Sequence, residues 1–279
     1  MGFRAVLRGR LWRHHLAVAG LAITAVVVLV AVLAPWLATH DAYQHNRRAM
    51  LAAPGPTHWL GTDSFGRDVY SRILYGSRVS LSVGVLSMVL AMALGVIPGL
   101  VASFWGGWAD VALSRAFDIL MSFPAIIVAI LSIAVIGGGN AAVVIALGIA
   151  LAPRFARVVR GEVLSLRGRD FVEAARALGV PGGRIVFRHI LPNVAGPLLI
   201  LATVYLPHAI LTEASLSFLG IGVQPDIASW GRMVAQGRTY LEVAPWISVF
   251  PGVAIMLTVV GFNLLGDGLR DVLDPRLRR

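Results

Sequence analysis

The chain has 279 residues, of which 57% are hydrophobic and only 14% are charged, and its mean hydropathy is +0.79. Soluble domains carry about a quarter charged residues, so this composition excludes a water-facing globular surface and indicates a membrane protein. The formal net charge of +10 then fits Arg-rich cytoplasmic loops better than a nucleic-acid-binding face, which would combine Arg with aromatic residues on a soluble domain.

Two residue types are missing from the chain. It contains no Cys, which excludes a disulfide framework and a thiolate metal site. All 24 basic residues are Arg, and a Walker A loop cannot form without the Lys that reaches the β- and γ-phosphates. We therefore expect no cofactor in this chain, with any ATP and Mg²⁺ bound by a partner. Enzyme signatures such as G-x-S-x-G or a metalloprotease His pair are also missing, so an enzyme is not predicted.

The N-terminal segment carries four arginines, Arg4, Arg8, Arg10 and Arg13, before an apolar run from Leu16 to Leu37. At about 20 residues this run is too long for the core of a signal peptide, and it matches the thickness of the hydrocarbon core. The sequence therefore predicts a retained first membrane span with its N-terminus inside.

A polar segment, Thr39–Arg78, follows, and Pro54-Gly55-Pro56 marks its middle as loop. From Phe65 onward, apolar residues recur at helical spacing with charged residues between them. This pattern predicts an amphipathic helix that lies along the membrane surface and leads into the second span.

Five more apolar runs complete the pattern: Ser80–Phe104, Phe117–Ile136, Ala141–Val159, Val194–Leu219 and Trp246–Leu265. The predicted fold is thus an all-α membrane protein with six spans. Pro153 and Arg154 interrupt the fourth run, which we expect to leave the membrane as one helix. Small residues such as Gly84, Gly95 and Gly99 favour close helix packing in lipid.

Six spans with the N-terminus inside place both termini and the polar stretch Phe171–Pro192 in the cytoplasm. Of the 24 arginines, few fall on the opposite side: Arg47, Arg48, Arg67, Arg72, Arg78, Arg232 and Arg238. This bias agrees with the positive-inside rule.

The stretch Phe171–Pro192 is a polar island between long apolar runs. Arg169–Leu178 is rich in the helix formers Ala and Leu, Gly179 suits a helix end, and Pro181 suits a helix start. The sequence predicts a helix, a sharp turn and a second helix in water. A contact surface for another protein and an ordinary solvated loop both fit this pattern.

Ionisable residues inside spans are rare because each costs roughly 2.5–3.5 kcal/mol at the helix centre. Glu213 lies in the fifth span, which Pro207 can kink, so both are candidates for the transport pathway or its gate. A structural carboxylate paired with a hydroxyl or an Arg is the favoured alternative for Glu213. Asp118 is expected to pair locally with Arg115. An ion-coupled carrier or channel is disfavoured, because a proton relay needs several buried carboxylates.

Glu173-Ala174-Ala175, followed by Gly179 and Leu191-Pro192, resembles the EAA loop of binding-protein-dependent ABC importer permeases. His189 stands where that pattern has Ile, and RHILPN looks like the variant of the peptide and nickel branch. Three further stretches are similar to the C-type permease subunit of dipeptide and oligopeptide importers: LGTDSFGRDVYSRILYGSRVSLSVG, EASLSFLGIG followed by PDIASWGRM, and GDGLRDVLDPRLR.

The resemblance implies a type I importer permease fold with a cytoplasmic coupling helix that docks on an ATPase. It divides the chain into residues 1–78, a five-helix permease core 79–268 with a coupling loop 165–192, and a tail 269–279. Carried over by position, the ATPase-coupling residues are Glu173, Ala174, Ala175, Arg176, Gly179 and Pro192.

The resemblance also implies the partners and the location. The expected partners are a paralogous permease subunit, two cytoplasmic ATPase subunits and an extracytoplasmic solute-binding protein that contacts outer loops including Gly220–Ala244. No nucleic acid is expected. The implied place is the cytoplasmic membrane of a bacterium or archaeon, and the implied cargo is di- or oligopeptide. Nickel chelates and glutathione are the alternative cargoes.

Overall fold

The computed structural model describes residues 15–224 and 226–273, and within these ranges the chain is helical without a strand. The N-terminal arginines Arg4, Arg8, Arg10 and Arg13, and residues 274–279 of the C-terminal motif, lie outside the described residues. In chain order the helices are α1 His15–Leu37, α2 Val69–Trp105, α3 Gly107–Met121, α4 Ala125–Ile136, α5 Asn140–Leu166, α6 Asp170–Ala177, α7 Gly182–Phe218, α8 Trp230–Gly237 and α9 Trp246–Leu273.

Five of these helices, α1, α2, α5, α7 and α9, are long and apolar enough to cross a membrane. The pair α3 and α4 passes the same test when joined, which makes six if that bent pair is one span. The predicted all-α, multi-span fold is therefore confirmed. The fourth predicted span also continues through Pro153 as one helix, α5, as expected.

The amphipathic helix predicted from Phe65 along the membrane surface is wrong as a separate element. Helix α2 begins at Val69 and runs without interruption to Trp105. Gly66 has a φ of +71°, a left-handed conformation that prevents α2 from extending back through Gly66 to Phe65. The Asp68 carboxylate then caps α2 by accepting the Ser71 backbone N–H at 2.8 Å. The charged residues after it belong to the first turns of the span.

The third predicted span, Phe117–Ile136, is not a single helix. It is divided between α3 and α4, which are bent by 99° at the break after Met121. Pro124 precedes α4 with a ψ of 136°, and a proline pushes the preceding residue out of the helical region. Pro124 therefore stands at a complete break between two helices.

The bundle is held together by close contacts at small residues. Helix α2 packs along α5, where a Cβ on Gly95 would overlap the Ala152 carbonyl oxygen and lie 2.9 Å from the Phe155 Cβ. Near Gly99, the Ala156 Cα would lie 3.3 Å from an added Cβ. Because lipid is as apolar as the helix faces, such backbone approach supplies the packing contacts that hold spans together. Helix α1 packs on α9, and α7 lies against α2 and α9.

Two ends of the bundle are distinguished below. The α6 end contains α3, α6 and the ends of α2 and α5 that lead to them, together with the start of α7. The α8 end contains α8, residues 38–68, the start of α2 and the C-terminal part of α7. A single apolar cluster reaches from the middle of the bundle to the α6 end and includes Met88, Leu100, Phe155, Val159, Val172, Ile185 and Ile190.

Candidate functional site

Helix α6 is a short element with a well-formed C-terminal cap. It spans Asp170–Ala177, as the sequence predicts to within a residue at each end. Gly179 has a φ of +74°, its N–H donates to the Arg176 carbonyl at 2.9 Å, and the Val180 N–H donates to the Ala175 carbonyl at 3.0 Å. These two bonds are the Schellman motif. No atom lies within 4 Å of a Cβ placed on Gly179, so the backbone conformation alone demands glycine there.

One face of α6 is built into the bundle. Val172 and Ala175, three residues apart, are buried in the apolar cluster that also holds Leu100 and Phe104 of α2. The same cluster contains Val163 of α5, and residues of α7 join it. Since packed side chains resist sliding, a displacement of α6 is transmitted to the three helices that share this cluster.

The rest of the α6 surface is exposed and, apart from Arg176, has no partner within the described part of the chain. Leu178 is 82% exposed and Phe171 is 42% exposed. Glu173 is also exposed, and among the described residues its carboxylate makes no hydrogen bond or ion pair. The exposed apolar side chains of Phe171 and Leu178 and the unpaired carboxylate of Glu173 make this surface suited to contact with another protein.

Arg176 is an exposed coupling residue whose side chain also contacts its own chain. Its guanidinium carbon lies 5.2 Å from the centre of the Phe104 ring, which is within the range of a cation–π contact. This contact ties the last turn of α6 to the end of α2. Arg176 remains exposed on its other side.

Pro192 lies beyond the turn, inside α7. The preceding residues Val186–Ile190 form a π-helical turn, and the Leu191 N–H donates to the Val186 carbonyl. A proline offers no N–H and its ring clashes with the carbonyl of the fourth residue before it, so the wider turn accommodates Pro192. The Asn193 side-chain amide donates to the His189 carbonyl at 2.6 Å. In the sequence, the proline itself is the only signal for the π turn.

Two ion pairs fasten α3 to α5 beside α6. Arg160 donates to both carboxylate oxygens of Asp110, each at 2.9 Å, and Arg157 donates to Asp118 at 2.8 Å. The predicted local pair of Asp118 with Arg115 is therefore wrong. Sequence spacing favours an i,i+3 partner, but the packing of α3 against α5 brings a partner from another helix closer.

Glu213 lies at the α8 end, fully buried. The Ser217 hydroxyl donates to one carboxylate oxygen at 2.8 Å and the Ser80 hydroxyl approaches the other at 3.3 Å. The Ser80 oxygen in turn accepts the Trp230 backbone N–H at 3.2 Å. This network joins α7, α2 and α8, and the hydroxyl pairing foreseen as the structural alternative is the arrangement found.

The structure thus groups the predicted residues unequally. It brings Glu173, Ala174, Ala175, Arg176 and Gly179 together on one capped element, while Pro192 lies on α7. Pro207 is buried within α7, and Glu213 lies in a separate network. The exposed Leu178 and the Phe104 ring beneath Arg176 were not singled out from the sequence. The position of Leu178 directly before the helix-ending Gly179 was the available signal for it.

Known proteins share this arrangement and sequence. Residues 71–279 match the family described as "Binding-protein-dependent transport system inner membrane component", and residues 3–54 match "N-terminal TM domain of oligopeptide transport permease C". The dipeptide transport system permease protein DppC of Alkalihalophilus pseudofirmus is 44% identical over 269 residues, covering 96% of this chain and 88% of that protein.

A second relative carries a different cargo in its name. The glutathione transport system permease protein GsiD of Pectobacterium atrosepticum is 43% identical over 272 residues, covering 96% of this chain and 90% of that protein. Among solved structures, the inward-facing MetNI methionine ABC transporter matches with a TM-score of 0.58 and 21% identity, over 72% of this chain and 96% of that chain. That likeness bears on the fold alone.

Proposed function

The chain belongs to the family of binding-protein-dependent transport system inner membrane components, and from this we propose that it carries di- and oligopeptides across the cytoplasmic membrane as one permease subunit of an ABC importer. The relative named for dipeptide transport supports this cargo. Glutathione is the alternative cargo because a relative of nearly equal identity is named for it. Nickel chelates are a further alternative within the same architecture.

The observation that carries the proposal is the two-sided character of α6. Its exposed face presents Phe171, Glu173 and Leu178 to a partner, while Val172 and Ala175 are buried among residues of α2, α5 and α7. We assign the exposed face to the cytoplasmic ATPase, so that a movement of the ATPase pair shifts α6 and with it the ends of three helices. For ATP to bias the bundle, the ATPase must bind its two conformations with different affinity.

The energy source lies outside this chain. A chain without Lys lacks the residue that a Walker A loop uses to reach the phosphates. We therefore place ATP and Mg²⁺ on two ATPase subunits, and we assign no ATPase activity to the permease itself. This arrangement puts both termini and α6 in the cytoplasm of a bacterium or archaeon, in agreement with the Arg bias of the sequence.

The remaining partners follow from the other end of the molecule. One chain of this size lines half a pathway, so a paralogous permease completes the heterodimer. The α8 end, including residues 220–244, receives the extracytoplasmic solute-binding protein. Its polar network around Glu213 connects α8 to α2 and α7, which gives docking at α8 a physical route to the spans.

The direct test is ATP-dependent uptake of a labelled dipeptide into vesicles that contain the chain, its paralogue, both ATPases and the binding protein. Glu173→Lys reverses the charge of the exposed face, and Gly179→Pro cannot adopt the φ of +74° found there. We expect both variants to lose uptake while the complex still binds ATP. Gly183→Ala is the matched control, since a Cβ on Gly183 also meets open space and its φ is not positive.

Two outcomes would overturn parts of this proposal. Normal uptake in both α6 variants would refute the coupling assignment. Substrate flux in vesicles that lack nucleotide and the second permease would instead indicate a self-sufficient carrier or channel. Competition by unlabelled glutathione or by a nickel chelate, with the matching binding proteins supplied in turn, separates the three cargoes.

A further inference from the structure

Three potential metal ligands converge in the connection between α1 and α2, away from α6 and from the Glu213 network. They are His40, His58 and Asp68, and one ligand atom from each lies within 4.8 Å of the other two. His40 follows the end of α1, His58 belongs to the loop, and Asp68 caps the start of α2. Residues distant in sequence therefore meet at one point.

From this geometry we propose that His40, His58 and Asp68 bind a divalent transition-metal ion. Imidazole nitrogen with carboxylate oxygen is a donor set suited to Zn²⁺, Ni²⁺, Co²⁺ or Cu²⁺. Donor atoms that share such an ion stand roughly 3.0–3.5 Å apart, given metal–ligand bonds near 2.1 Å. The His58 Nδ1 to Asp68 Oδ1 distance is 2.9 Å and the His40 Nδ1 to Asp68 Oδ1 distance is 3.8 Å. Both lie within a few tenths of an ångström of this requirement.

The ligands are held in place by a second layer of hydrogen bonds. The other Asp68 oxygen accepts the Ser71 backbone N–H at 2.8 Å, and the Ser71 hydroxyl accepts the His40 backbone N–H at 3.1 Å. The two imidazole rings lie beside each other with centroids 4.6 Å apart. Such outer contacts orient ligating side chains and raise metal affinity, so the site is preorganised.

Binding of the ion requires a change of tautomer at His58 and the loss of one weak contact at His40. Without metal, the His58 Nδ1 and Asp68 Oδ1 share a hydrogen at 2.9 Å, and the His40 Nδ1 lies 3.0 Å from the Thr39 hydroxyl. For the ion to bind, the shared hydrogen moves by way of solvent to His58 Nε2, which frees the Nδ1 lone pair while the ring stays neutral. The His40 Nδ1 lone pair turns from the Thr39 hydroxyl to the ion. The ligands are neutral imidazoles and a carboxylate, so no oxidant or reductant is involved.

The site is open on one side only. The Asp68 side chain is 1% exposed, that of His58 14% and that of His40 38%. Three protein ligands leave at least one coordination position, and it faces the solvent on the His40 side, where water or a donor from another molecule completes the shell. Bound there, the ion ties the end of α1 to the start of α2 through the intervening loop.

The test uses the full chain purified in detergent with an affinity tag that contains no histidine, stripped with chelator and titrated with Co²⁺ alone. We expect one Co²⁺ per chain with visible absorption bands, displaced by one Zn²⁺. His40→Ala and His58→Ala should each lower the affinity by at least about 10–100-fold, the range seen even for outer-shell residues. His45→Ala is the control, because His45 lies in the same loop but stacks on Phe65 instead of joining the cluster.

Folding of the variants is checked by gel filtration and by thermal unfolding. Zn²⁺ should raise the melting temperature of the wild type and of His45→Ala, and leave that of His40→Ala unchanged. The absence of saturable binding in the wild type would overturn the proposal. So would equal binding in His40→Ala and His45→Ala, because the ion would then be held by other groups. The proposal stands or falls independently of the transport function.

Discussion

At the α8 end, oppositely charged side chains are buried together, whereas in the ion pairs at the α6 end at least one partner is exposed. Asp63 pairs with Arg67 at 2.7 Å and approaches Arg72 at 3.5 Å, and all three are nearly inaccessible to solvent. At the α6 end, the Arg157–Asp118 pair is 60% and 50% exposed. A buried pair loses much when one partner is removed, while an exposed pair loses little. The α8 end is therefore fixed by polar contacts, and the α6 end is joined to the bundle by apolar packing.

The difference has a functional meaning for a protein moved by a partner. An element that transmits force must be attached firmly on one side and free on the other, and α6 has both properties. The buried polar contacts of the α8 end resist deformation. We expect this end to stay in place while the α6 end moves. Four sets of substitutions test this contrast, and the sets are given from the largest expected effect to the smallest.

Arg72→Ala should be the most damaging change. Arg72 is 0% exposed, lies 3.5 Å from Asp63 and donates to the Ala42 carbonyl at 3.2 Å. Its removal leaves a buried acid with one partner fewer and an unpaired carbonyl, for an expected loss of about 3 kcal/mol. Thermal unfolding in detergent measures the change. Arg78→Ala is the control, because Arg78 is exposed on the same helix. Equal melting temperatures for the two variants would contradict a polar framework at this end.

Glu213→Ala should follow at about 2 kcal/mol, since it removes two hydrogen bonds and leaves the Ser80 and Ser217 hydroxyls buried without their acceptor. Glu213→Gln keeps one acceptor oxygen and offers an NH2 donor to the other hydroxyl oxygen, so it should lose less than half as much. If Glu213 only holds this hydrogen-bond network together, Glu213→Gln should also retain transport activity. Loss of transport by Glu213→Gln with unchanged unfolding would point to the gate role instead.

Gly179→Ala should cost about 1 kcal/mol, because an L-residue is strained in the left-handed conformation. Space is not limiting, so the strain acts on the turn itself. At the α6 end we expect this to appear mainly as weaker coupling of ATP hydrolysis to uptake, with a small change in melting. Gly183→Ala, two residues into the next helical stretch of the same loop, should leave the coupling ratio unchanged. Equal ratios in the two variants would exclude a special role for the turn.

Asp118→Asn should be nearly silent, at about 0.3 kcal/mol, since its pair with Arg157 is exposed to solvent. Asp110→Asn should reach about 1 kcal/mol, the upper end for surface pairs, because the contact with Arg160 is bidentate and the Asp110 side chain is only 13% exposed. Thermal unfolding of both variants at low and high salt separates the two ion pairs. Salt should reduce the contribution of the Asp118–Arg157 pair more than that of the Asp110–Arg160 pair. The reverse order would contradict the assigned exposure.

Much of the fold could be predicted because an apolar run as long as the membrane is thick directly predicts a membrane span. Helix α6 and its cap followed from Ala-rich sequence and from Gly179, since a Schellman turn depends on local chemistry. The errors arose where partners come from elsewhere in the chain. Asp118 pairs with Arg157 of α5 and not with Arg115 of its own helix. The metal-ligand cluster joins His40 and Asp68 across a folded loop, which no spacing rule reveals.

The central claim is that the exposed face of α6 touches the ATPase, and the composition of the chain permits a direct measurement. It has neither Cys nor Lys, so a thiol–amine cross-linker attached to a single introduced cysteine finds no amine in this chain except its N-terminus, and a protein–protein adduct identifies another chain. In membranes that contain the whole importer, Leu178→Cys should cross-link to the ATPase chain. Leu219→Cys, also exposed but at the α8 end, should not. An ATPase adduct that forms equally from both positions, or from Leu219→Cys alone, would contradict the account.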